Sequence, residues 1–228
     1  MTALQTRPAP SYQPAVIGRL TEPRPSLASM GTVVQFARNE TIFNEGDDAE
    51  YSYKVFSGAI RLSKMMSDGR RQVAEFALSG DIIGLNWLEE HAMTAEALND
   101  VTLICYARGR LERLGDENRD VRSELFSSLR HDLWAAQNHL VLLGRQSALE
   151  RVASFLVLLM KRGKGADKSR IDIPMTRQDM ADYLGLTIET VCRMLTKLKQ
   201  TGIIAIPDRH TITVRNAAGL QKAAQPEE

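Results

Sequence analysis

One thirty-residue segment, from residue 175 to residue 204, constrains the fold more than any other part of the chain. Thr176 is followed three residues later by Asp179, a spacing typical of the capping box at the start of a helix. Gly185 ends this helix, and Thr187 is a suitable N-cap for a second one. The segment therefore predicts two helices joined by a tight turn.

The second predicted helix has two chemically different faces. Glu189, Cys192 and Arg193 are spaced i, i+3 and i+4, so they share one side of the helix. The apolar residues of the opposite side are Val191, Leu195 and Leu198. Two such helices form a helix-turn-helix, whose second helix enters the major groove of DNA with its N-terminus first. An ordinary corner between two helices, with a solvated Glu and Arg, has the same pattern and remains an alternative.

The polar face of the second helix predicts contacts with bases. Arginine binds O6 and N7 of guanine, and glutamate accepts from an amino group of cytosine or adenine, so Arg193 and Glu189 are the candidates. Cys192 and Ile188 offer apolar surface to a thymine methyl. Residues near the two helix starts are candidates for phosphate contacts. They are Thr176, Arg177, Gln178, Thr187 and Thr190.

A β-hairpin is predicted after the second helix. Residues 203–206 and 211–214 are its strands, and the hairpin would be the wing of a winged helix. Arg209 and His210 lie at its tip and are further candidates for phosphate contacts. A solvated turn explains these two residues equally well.

Short β-rich runs recur before residue 108, and glycines separate them. Strands of this length with frequent turn signals favour a β-barrel or sandwich. The glycines stand where turns need a positive φ. The predicted strands are residues 32–36, 53–56, 59–62, 72–76 and 101–106, and the glycines are Gly46, Gly58, Gly69, Gly80 and Gly84.

From about residue 109 the pattern becomes helical. Six apolar residues recur alternately three and four positions apart, which is typical of a coiled-coil seam. They are Phe126, Leu129, Leu133, Ala136, Leu140 and Leu143. Such a seam either joins two copies of the chain or packs against the barrel. Residues 144–147 interrupt the period, so we expect a hinge there.

Several phrases of the sequence resemble the CRP/FNR transcription factors. Residues 189–193, Glu-Thr-Val-Cys-Arg, match the E-T-x-x-R recognition helix of that family, and residues 183–187, Tyr-Leu-Gly-Leu-Thr, are similar to its FNR and FixK branches. The glycine turns at residues 44–47, 55–58 and 79–84 resemble the cyclic-nucleotide-binding β-roll. The resemblance implies an α+β fold with an N-terminal cyclic-nucleotide-binding-like β-roll, a long dimerisation helix and a C-terminal winged helix-turn-helix.

This architecture divides the chain into five parts. We expect a loosely ordered arm over residues 1–29, a β-roll effector-type domain over 30–108, a dimerisation helix over 109–145, a winged helix-turn-helix DNA-binding domain over 146–216 and a frayed tail over 217–228.

The resemblance also implies a function and partners. It implies a homodimer that binds double-stranded DNA at a palindrome close to TTGAT, four spacer bases and ATCAA, and that activates genes of low-oxygen respiration or nitrogen metabolism. RNA polymerase is the second implied partner. Its candidate contacts are the hairpin residues Asp68, Gly69, Arg70 and Arg71.

The effector-type domain lacks the residues with which such relatives bind their ligands. Cyclic-nucleotide-binding relatives pair the phosphate with an Arg, yet no Arg or Lys occurs between residues 71 and 108, and Gly84 is followed by Leu-Asn-Trp. An FNR-type iron–sulphur cluster needs four cysteine ligands, and Cys105 is the only cysteine before Cys192. We therefore expect no cofactor and no metal, as in the FixK-type branch.

An effector-gated regulator is the alternative function. Its β-roll would sense haem, nitric oxide or another small ligand. His91, His131 and His139 precede the DNA-binding domain, and each is a possible axial ligand of haem. Nothing in their spacing selects one of them.

Cys192 admits two interpretations. It stands where FNR-type relatives usually have serine, and it is either a simple substitute for that serine or a redox switch. A position near the start of a helix and beside Arg193 favours the thiolate. Oxidation would then place bulk or negative charge against DNA and weaken binding.

Composition and charge bound the class of protein. A hydrophobic content of 43% and a charged content of 25% are typical of a soluble globular protein. No secretion signal and no membrane-spanning apolar run is recognised, so we expect a cytoplasmic protein without a membrane partner. The net charge is only +1, so DNA affinity has to rest on local phosphate contacts. No motif of an enzyme stands out.

Overall fold

The computed structural model describes Leu27, residues 30–85, residues 89–163 and residues 169–225. Along these residues a β-rich domain is followed by two helices and then by a small helical domain with a three-stranded sheet. This order confirms the predicted α+β architecture. Most of the predicted arm of residues 1–29 lies outside the described residues, but Leu27 is fully buried and accepts a hydrogen bond from the Tyr106 hydroxyl.

Two four-stranded antiparallel sheets form the β-roll. One has the order β1-β8-β3-β6 and the other the order β2-β7-β4-β5. Apolar side chains from both sheets, among them Val55, Ile60 and Leu103, fill the space between them. The strands are β1 (Thr32–Phe36), β2 (Thr41–Phe43), β3 (Tyr51–Ser57), β4 (Ala59–Met65), β5 (Arg71–Leu78), β6 (Ile82–Ile83), β7 (Thr94–Ala97) and β8 (Val101–Ala107).

All five strands expected from the sequence are present. The strands that the pattern does not reveal are β2, β6 and β7, which are only three, two and four residues long, so they carry too little alternation to be recognised. The predicted turn glycines do adopt positive φ angles. They are Gly46, Gly58, Gly69, Gly80 and Gly84.

The expected single dimerisation helix over residues 109–145 is two helices. Helix α1 (Arg108–Glu117) packs against β8, and α2 (Arg119–Arg145) is the long helix. Asn118 separates them, because its extended backbone ends α1 and its side chain accepts hydrogen bonds from the first amides of α2. The long helix therefore begins about ten residues later than the sequence pattern suggests.

The C-terminal domain begins after the predicted hinge. Helix α2 ends at Arg145, and Ser147 caps α3 in a capping box with Glu150. A three-stranded sheet of order β10-β11-β9 covers the helices. The elements are α3 (Ala148–Arg162), β9 (Arg170–Asp172), α4 (Arg177–Leu184), α5 (Ile188–Gln200), β10 (Ile204–Asp208), β11 (Thr211–Val214) and α6 (Ala217–Ala223).

The expectation of a frayed tail over residues 217–228 is wrong for its first half. Asn216 caps helix α6, and Leu220 is fully buried against the C-terminal core. The short helix is anchored because α6 packs along α3. Residues 226–228 lie outside the described residues.

One apolar core runs from the β-roll into the C-terminal domain. Phe76 of β5 packs with its ring centroid 5.9 Å from that of Phe155 in α3 and 5.3 Å from that of Tyr183 in α4. His139 of α2 stacks on Tyr183 with 4.1 Å between ring centroids, and its Nε2 lies 2.8 Å from the Tyr183 carbonyl oxygen. The DNA-binding domain is therefore packed against both the β-roll and the long helix of its own chain.

Candidate nucleic-acid interface

The turn between α4 and α5 has the geometry that the sequence predicts. The Thr176 hydroxyl and the Asp179 carboxylate form a capping box at the start of α4. Gly185 ends α4 in the left-handed conformation, with φ of +61°, which costs glycine little and other residues much more. Thr187 then caps α5 by accepting from the Thr190 amide.

Helix α5 presents a polar face at its N-terminal end. The four predicted base-contacting residues are all exposed, whereas the apolar residues on the other side are buried. The Arg193 guanidinium is 3.5 Å from the Thr190 hydroxyl. The amide of Glu189 itself and the Thr187 hydroxyl lower the pKa of the Glu189 carboxylate, so this side chain is held as an acceptor. The exposed residues are Ile188, Glu189, Cys192 and Arg193.

The phosphate candidates beside this face differ in availability. Thr187 and Thr190 stand at the first turn of α5, and Thr176 stands at the start of α4 with its hydroxyl engaged in the cap. Gln178 donates to Asp182 at 2.7 Å. Arg177 is half-buried with its Nη1 3.1 Å from the Met180 sulphur, and burial lowers its pKa. The guanidinium of Arg177 is thus partly buried against its own domain.

The wing has one of its two candidate residues turned toward the protein. β10 and β11 form the predicted hairpin, with Arg209 exposed at its tip. The ring Nδ1 of His210 lies 3.3 Å from the Ile173 carbonyl oxygen, which holds the imidazole against the domain. Both residues are exposed, and His210 is the one whose ring also contacts its own domain.

The predicted seam on α2 divides between the surface and the interior. Phe126, Leu133 and Leu140 are exposed, each by 60% or more, and Ala136 is exposed beside them. Leu129 instead packs into the cluster under α1, and Leu143 packs into the C-terminal core. Two exposed apolar residues that a strict heptad pattern does not reveal join the stripe. They are Trp134 and Val141.

The four residues predicted to contact RNA polymerase lie in two different environments. Asp68, Gly69 and Arg70 lie at the exposed tip of the β4–β5 hairpin, where Arg70 pairs with Asp68 at 2.7 Å. Arg71 is different, because it begins β5 and its guanidinium is bound to Asp179 and Asp182 of helix α4. Arg71 is therefore bound within its own chain and is not exposed for a contact with RNA polymerase.

The cavity beside the β-roll glycine does not fit a cyclic nucleotide. Its volume is about 290 Å³, and it lies next to Gly84 between the β-roll and α2. Among the residues that the structure describes, the lining includes Glu75 and Asp132 but no Lys or Arg. Burial lowers the pKa of His91, the one imidazole in the lining, which disfavours its cationic form. The described part of this lining therefore offers no cation to pair with a phosphate. The expected Leu-Asn-Trp sequence lies partly outside the described residues.

The histidines and cysteines form no metal centre among the residues that the structure describes. No group of three or more His, Cys, Asp or Glu side chains that could hold a metal ion occurs in those residues. His91 is buried and stacks on Phe43 with 3.7 Å between ring centroids. Cys105 lies in β8, and burial raises the pKa of its thiol. His131 is half-buried near Trp134, and Cys192 is exposed on α5.

A β-roll followed by a long helix and a winged helix-turn-helix defines a class of DNA-binding transcription regulators. A model of the cyclic nucleotide-binding domain matches residues 33–118, and a model of the Crp-like helix-turn-helix domain matches residues 150–223. Within the described residues, no helix is both long enough and apolar enough to cross a membrane.

Similar proteins identify the family. The chain is 39% identical to the nitrogen fixation regulation protein FixK of Azorhizobium caulinodans over 88% of this chain and 82% of that protein. It is 43% identical to FixK of Bradyrhizobium diazoefficiens over 78% of this chain and 76% of that protein. The solved structure of FixK2 from Bradyrhizobium japonicum superposes with a TM-score of 0.81 at 37% identity, covering 87% of this chain and 99% of that one. The protein belongs to the CRP/FNR family of transcription regulators and is FixK-like.

Proposed function

We propose that the protein is a homodimeric activator that binds a palindromic site close to TTGAT, four spacer bases and ATCAA, with neither cyclic AMP nor an iron–sulphur cluster bound. The exposed N-terminal face of α5 carries this proposal. Arg193 and Glu189 lie on that face with free access to solvent, and buried Val191 and Leu195 anchor the helix from behind. Arg193 binds guanine, and Glu189 accepts from a base amino group.

Phosphate contacts complete the interface. Thr187, Thr190 and the exposed Arg209 flank the base-reading face, and Thr176, Gln178 and Arg177 lie at the start of α4. Helix N-termini favour phosphate because their first amides are unpaired and the helix dipole is positive there. His210 lies beside Arg209 at the wing and is a further candidate for a phosphate contact, although its ring Nδ1 lies 3.3 Å from the Ile173 carbonyl oxygen.

The dimer forms through the exposed stripe of α2. Phe126, Leu133, Ala136 and Leu140, with Trp134 and Val141, meet the same residues of a second copy, while Leu129 and Leu143 support the stripe from within. A two-fold dimer presents two α5 helices to half-sites about one turn of DNA apart.

The relatives support a proposal for the regulated genes and the location. Proteins named as regulators of nitrogen fixation are similar to this chain over most of its length. We infer that it acts in the cytoplasm on genes of nitrogen metabolism or low-oxygen respiration, as a regulator rather than an enzyme.

RNA polymerase contacts the hairpin tip at Asp68, Gly69 and Arg70. This tip is exposed and its ion pair stays within the hairpin. Replacing Arg70 by Gln should lower transcription from the palindromic promoter while the Kd for that DNA stays unchanged. Equal losses of transcription and affinity would contradict a polymerase contact.

Fluorescence anisotropy of the ligand-free protein tests the whole proposal. The palindromic duplex and a duplex with scrambled half-sites are titrated at fixed salt with reducing agent, because affinity for DNA depends steeply on salt. Tight binding to the palindrome alone supports an intrinsically active dimer. Binding no better than to the scrambled duplex would contradict it and would point to a missing effector, such as haem or a small ligand.

A further inference from the structure

A cluster of charges around the buried Asp179 joins the β-roll to the helix-turn-helix. Arg61 of β4 and Arg71 of β5 both bind Oδ1 of Asp179 in α4, at 2.9 and 2.7 Å. Arg71 also binds Oδ2 of Asp182 through Nε and Nη2, at 2.9 and 2.7 Å. On the far side, Glu96 of β7 holds Arg61 with two hydrogen bonds of 3.0 Å. We call these five residues the interdomain latch.

The latch is too well buried to be an incidental surface pairing. The Asp179 side chain is 1% exposed and that of Asp182 is 13% exposed. Exposed ion pairs contribute little, but removing one partner of a buried pair leaves a charge without compensation. Movement of α4 away from the β-roll would expose or orphan these charges, so the latch resists that movement.

Asp179 connects the latch directly to the geometry of the DNA-reading unit. Its Oδ2 closes the cap of α4 by accepting from the Thr176 amide at 2.9 Å and from the Thr176 hydroxyl at 2.7 Å, while its Oδ1 faces the two arginines. The Leu186 amide closes the end of α4 by donating to the Ala181 carbonyl at 3.0 Å. Helices α4 and α5 pack on each other through one apolar core, so they form one unit. Fixing α4 therefore fixes the direction of α5.

We propose that Arg61 and Arg71 are positioning residues for DNA binding, which hold α4 and α5 in one orientation against the β-roll without a bound ligand. The inference rests on the proposed palindrome-binding dimer, because a dimer reads two half-sites only if both α5 helices are held at the correct separation. The latch would hold this orientation without an effector, because all of its charged groups belong to the chain itself.

The orientation is measured first, without DNA. One nitroxide label is attached to Cys192 on α5 and a second to Arg113→Cys on α1, in a Cys105→Ala background, and the sample is diluted with unlabelled protein so that each distance lies within one protomer. Double electron–electron resonance should give a narrow distance distribution for the otherwise unchanged chain. Arg71→Gln and Asp182→Asn, which remove the same ion pair from opposite sides, should broaden it.

Lys64→Gln is the matched control. Lys64 is on β4 of the same hairpin, but its ion pair is with Glu45, an exposed residue of the same β-roll domain. Replacing Lys64 therefore removes one positive charge without changing the latch. Its distance distribution should stay narrow. Asp182→Asn keeps the test decisive if Arg71→Gln folds poorly, because Asp182 takes no part in the cap and asparagine has the same shape.

Unlabelled variants are then titrated with palindromes whose spacer has four, five or six bases. The wild type should prefer the four-base spacer, whereas Arg71→Gln and Asp182→Asn should bind that site about tenfold more weakly and lose most of the preference. A variant that is merely destabilised loses affinity equally for every spacer, so an unchanged preference would overturn the proposal. An unchanged distance distribution would overturn it as well. Wild-type protein that ignores the half-site sequence would instead contradict the proposed function.

Discussion

At the scale of single residues, the exposed end of α5 concentrates the chemistry for reading DNA. Arg193 and Glu189 are adjacent on one face, and the Thr190 hydroxyl lies within 3.5 Å of the Arg193 guanidinium. Because guanidinium has a planar fork of donors, it matches guanine O6 and N7 in a way that a lysine cannot. Discrimination between bases should therefore depend on the planar geometry of the Arg193 guanidinium more than on its positive charge.

Replacing Arg193 by Ala should lower the affinity for the palindrome by about 1–3 kcal/mol while the affinity for scrambled DNA changes little. Lys197→Ala, at the exposed C-terminal part of the same helix, is the control for loss of one charge. Anisotropy titrations on both duplexes measure the two effects. Equal losses on palindromic and scrambled DNA would show that Arg193 contacts only phosphate.

Cys192 stands beside Arg193 with its thiol exposed. Treatment with hydrogen peroxide should weaken binding of the wild-type protein, because a sulfenic or sulfinic group adds bulk and charge at the base-reading face. Cys192→Ser should bind equally well before and after treatment. Binding of this variant that remained sensitive to peroxide would exclude Cys192 as the switch and leave it as a substitute for serine.

At the scale of elements, helix α2 has one face that packs on its own chain and another that is apolar and exposed. Val121 and Leu125 are buried under α1, and Leu142 is buried in the C-terminal core. The exposed stripe lies between these anchors and carries several large apolar side chains. A stripe of this kind on a long helix is typical of an interface with a second helix.

Leu140 is 71% exposed near the C-terminal end of this stripe, so Leu140→Glu should convert the proposed dimer to a monomer without unfolding the chain. Sedimentation velocity measures the mass, and thermal unfolding checks the fold. Val33→Glu places the same charge at a position of β1 that is 63% exposed, and it should leave the dimer intact. A dimer that survives Leu140→Glu would contradict this interface.

At the scale of the whole molecule, two carboxyl groups lie where the β-roll, α2 and α3 meet, and their surroundings disfavour the charged form. They are those of Glu75 and Asp132. Burial, together with the charges of Asp132 and Asp81, raises the pKa of Glu75 to about 7, although Arg162 acts in the opposite direction. Burial and Asp81 likewise raise the pKa of Asp132 to about 6. Folding therefore favours the protonated form of both groups.

The free energy of unfolding should consequently fall as the pH rises from about 4 to about 7. Both groups have a folded pKa above the unfolded value, so their contribution is complete below the unfolded pKa and is lost as the pH passes the folded pKa. Glu75→Gln should flatten this dependence and stabilise the protein at pH 8 by on the order of 1–3 kcal/mol. Urea unfolding at several pH values measures the free energy of unfolding of the wild type and the variant.

Glu117→Gln, at an exposed position of α1, is the matched control for this measurement. It should leave both the pH dependence and the stability at pH 8 unchanged. A Glu75→Gln variant that is less stable than wild type at pH 8 would show that the carboxylate is stabilised in the folded protein, in contradiction to the expected direction.

The local features of the DNA-reading unit are encoded in short stretches of sequence. Thr176, Gly185 and Thr187 determine where α4 and α5 begin and end, because capping and left-handed turns depend on residues a few positions apart. The apolar and polar faces of α5 follow from its period in the same way. The family phrase at residues 189–193 adds the class of protein, since it combines base-reading chemistry with that period.

Long-range contacts explain what the sequence pattern could not reveal. Arg71 has the pattern of an exposed hairpin residue, yet Asp182, 111 positions later, binds its guanidinium. Leu143 continues the heptad period, yet packs into the C-terminal core, and Leu220 lies in an apparently frayed tail, yet is buried. Periodicity reports which face of an element is apolar, but it does not specify which surface covers that face. The sequence by itself determined the caps, the turn glycines and the polar face of α5. The packing of the β-roll, α2 and α4 alone decided which charges are buried, which apolar residues remain exposed and in which direction α5 points.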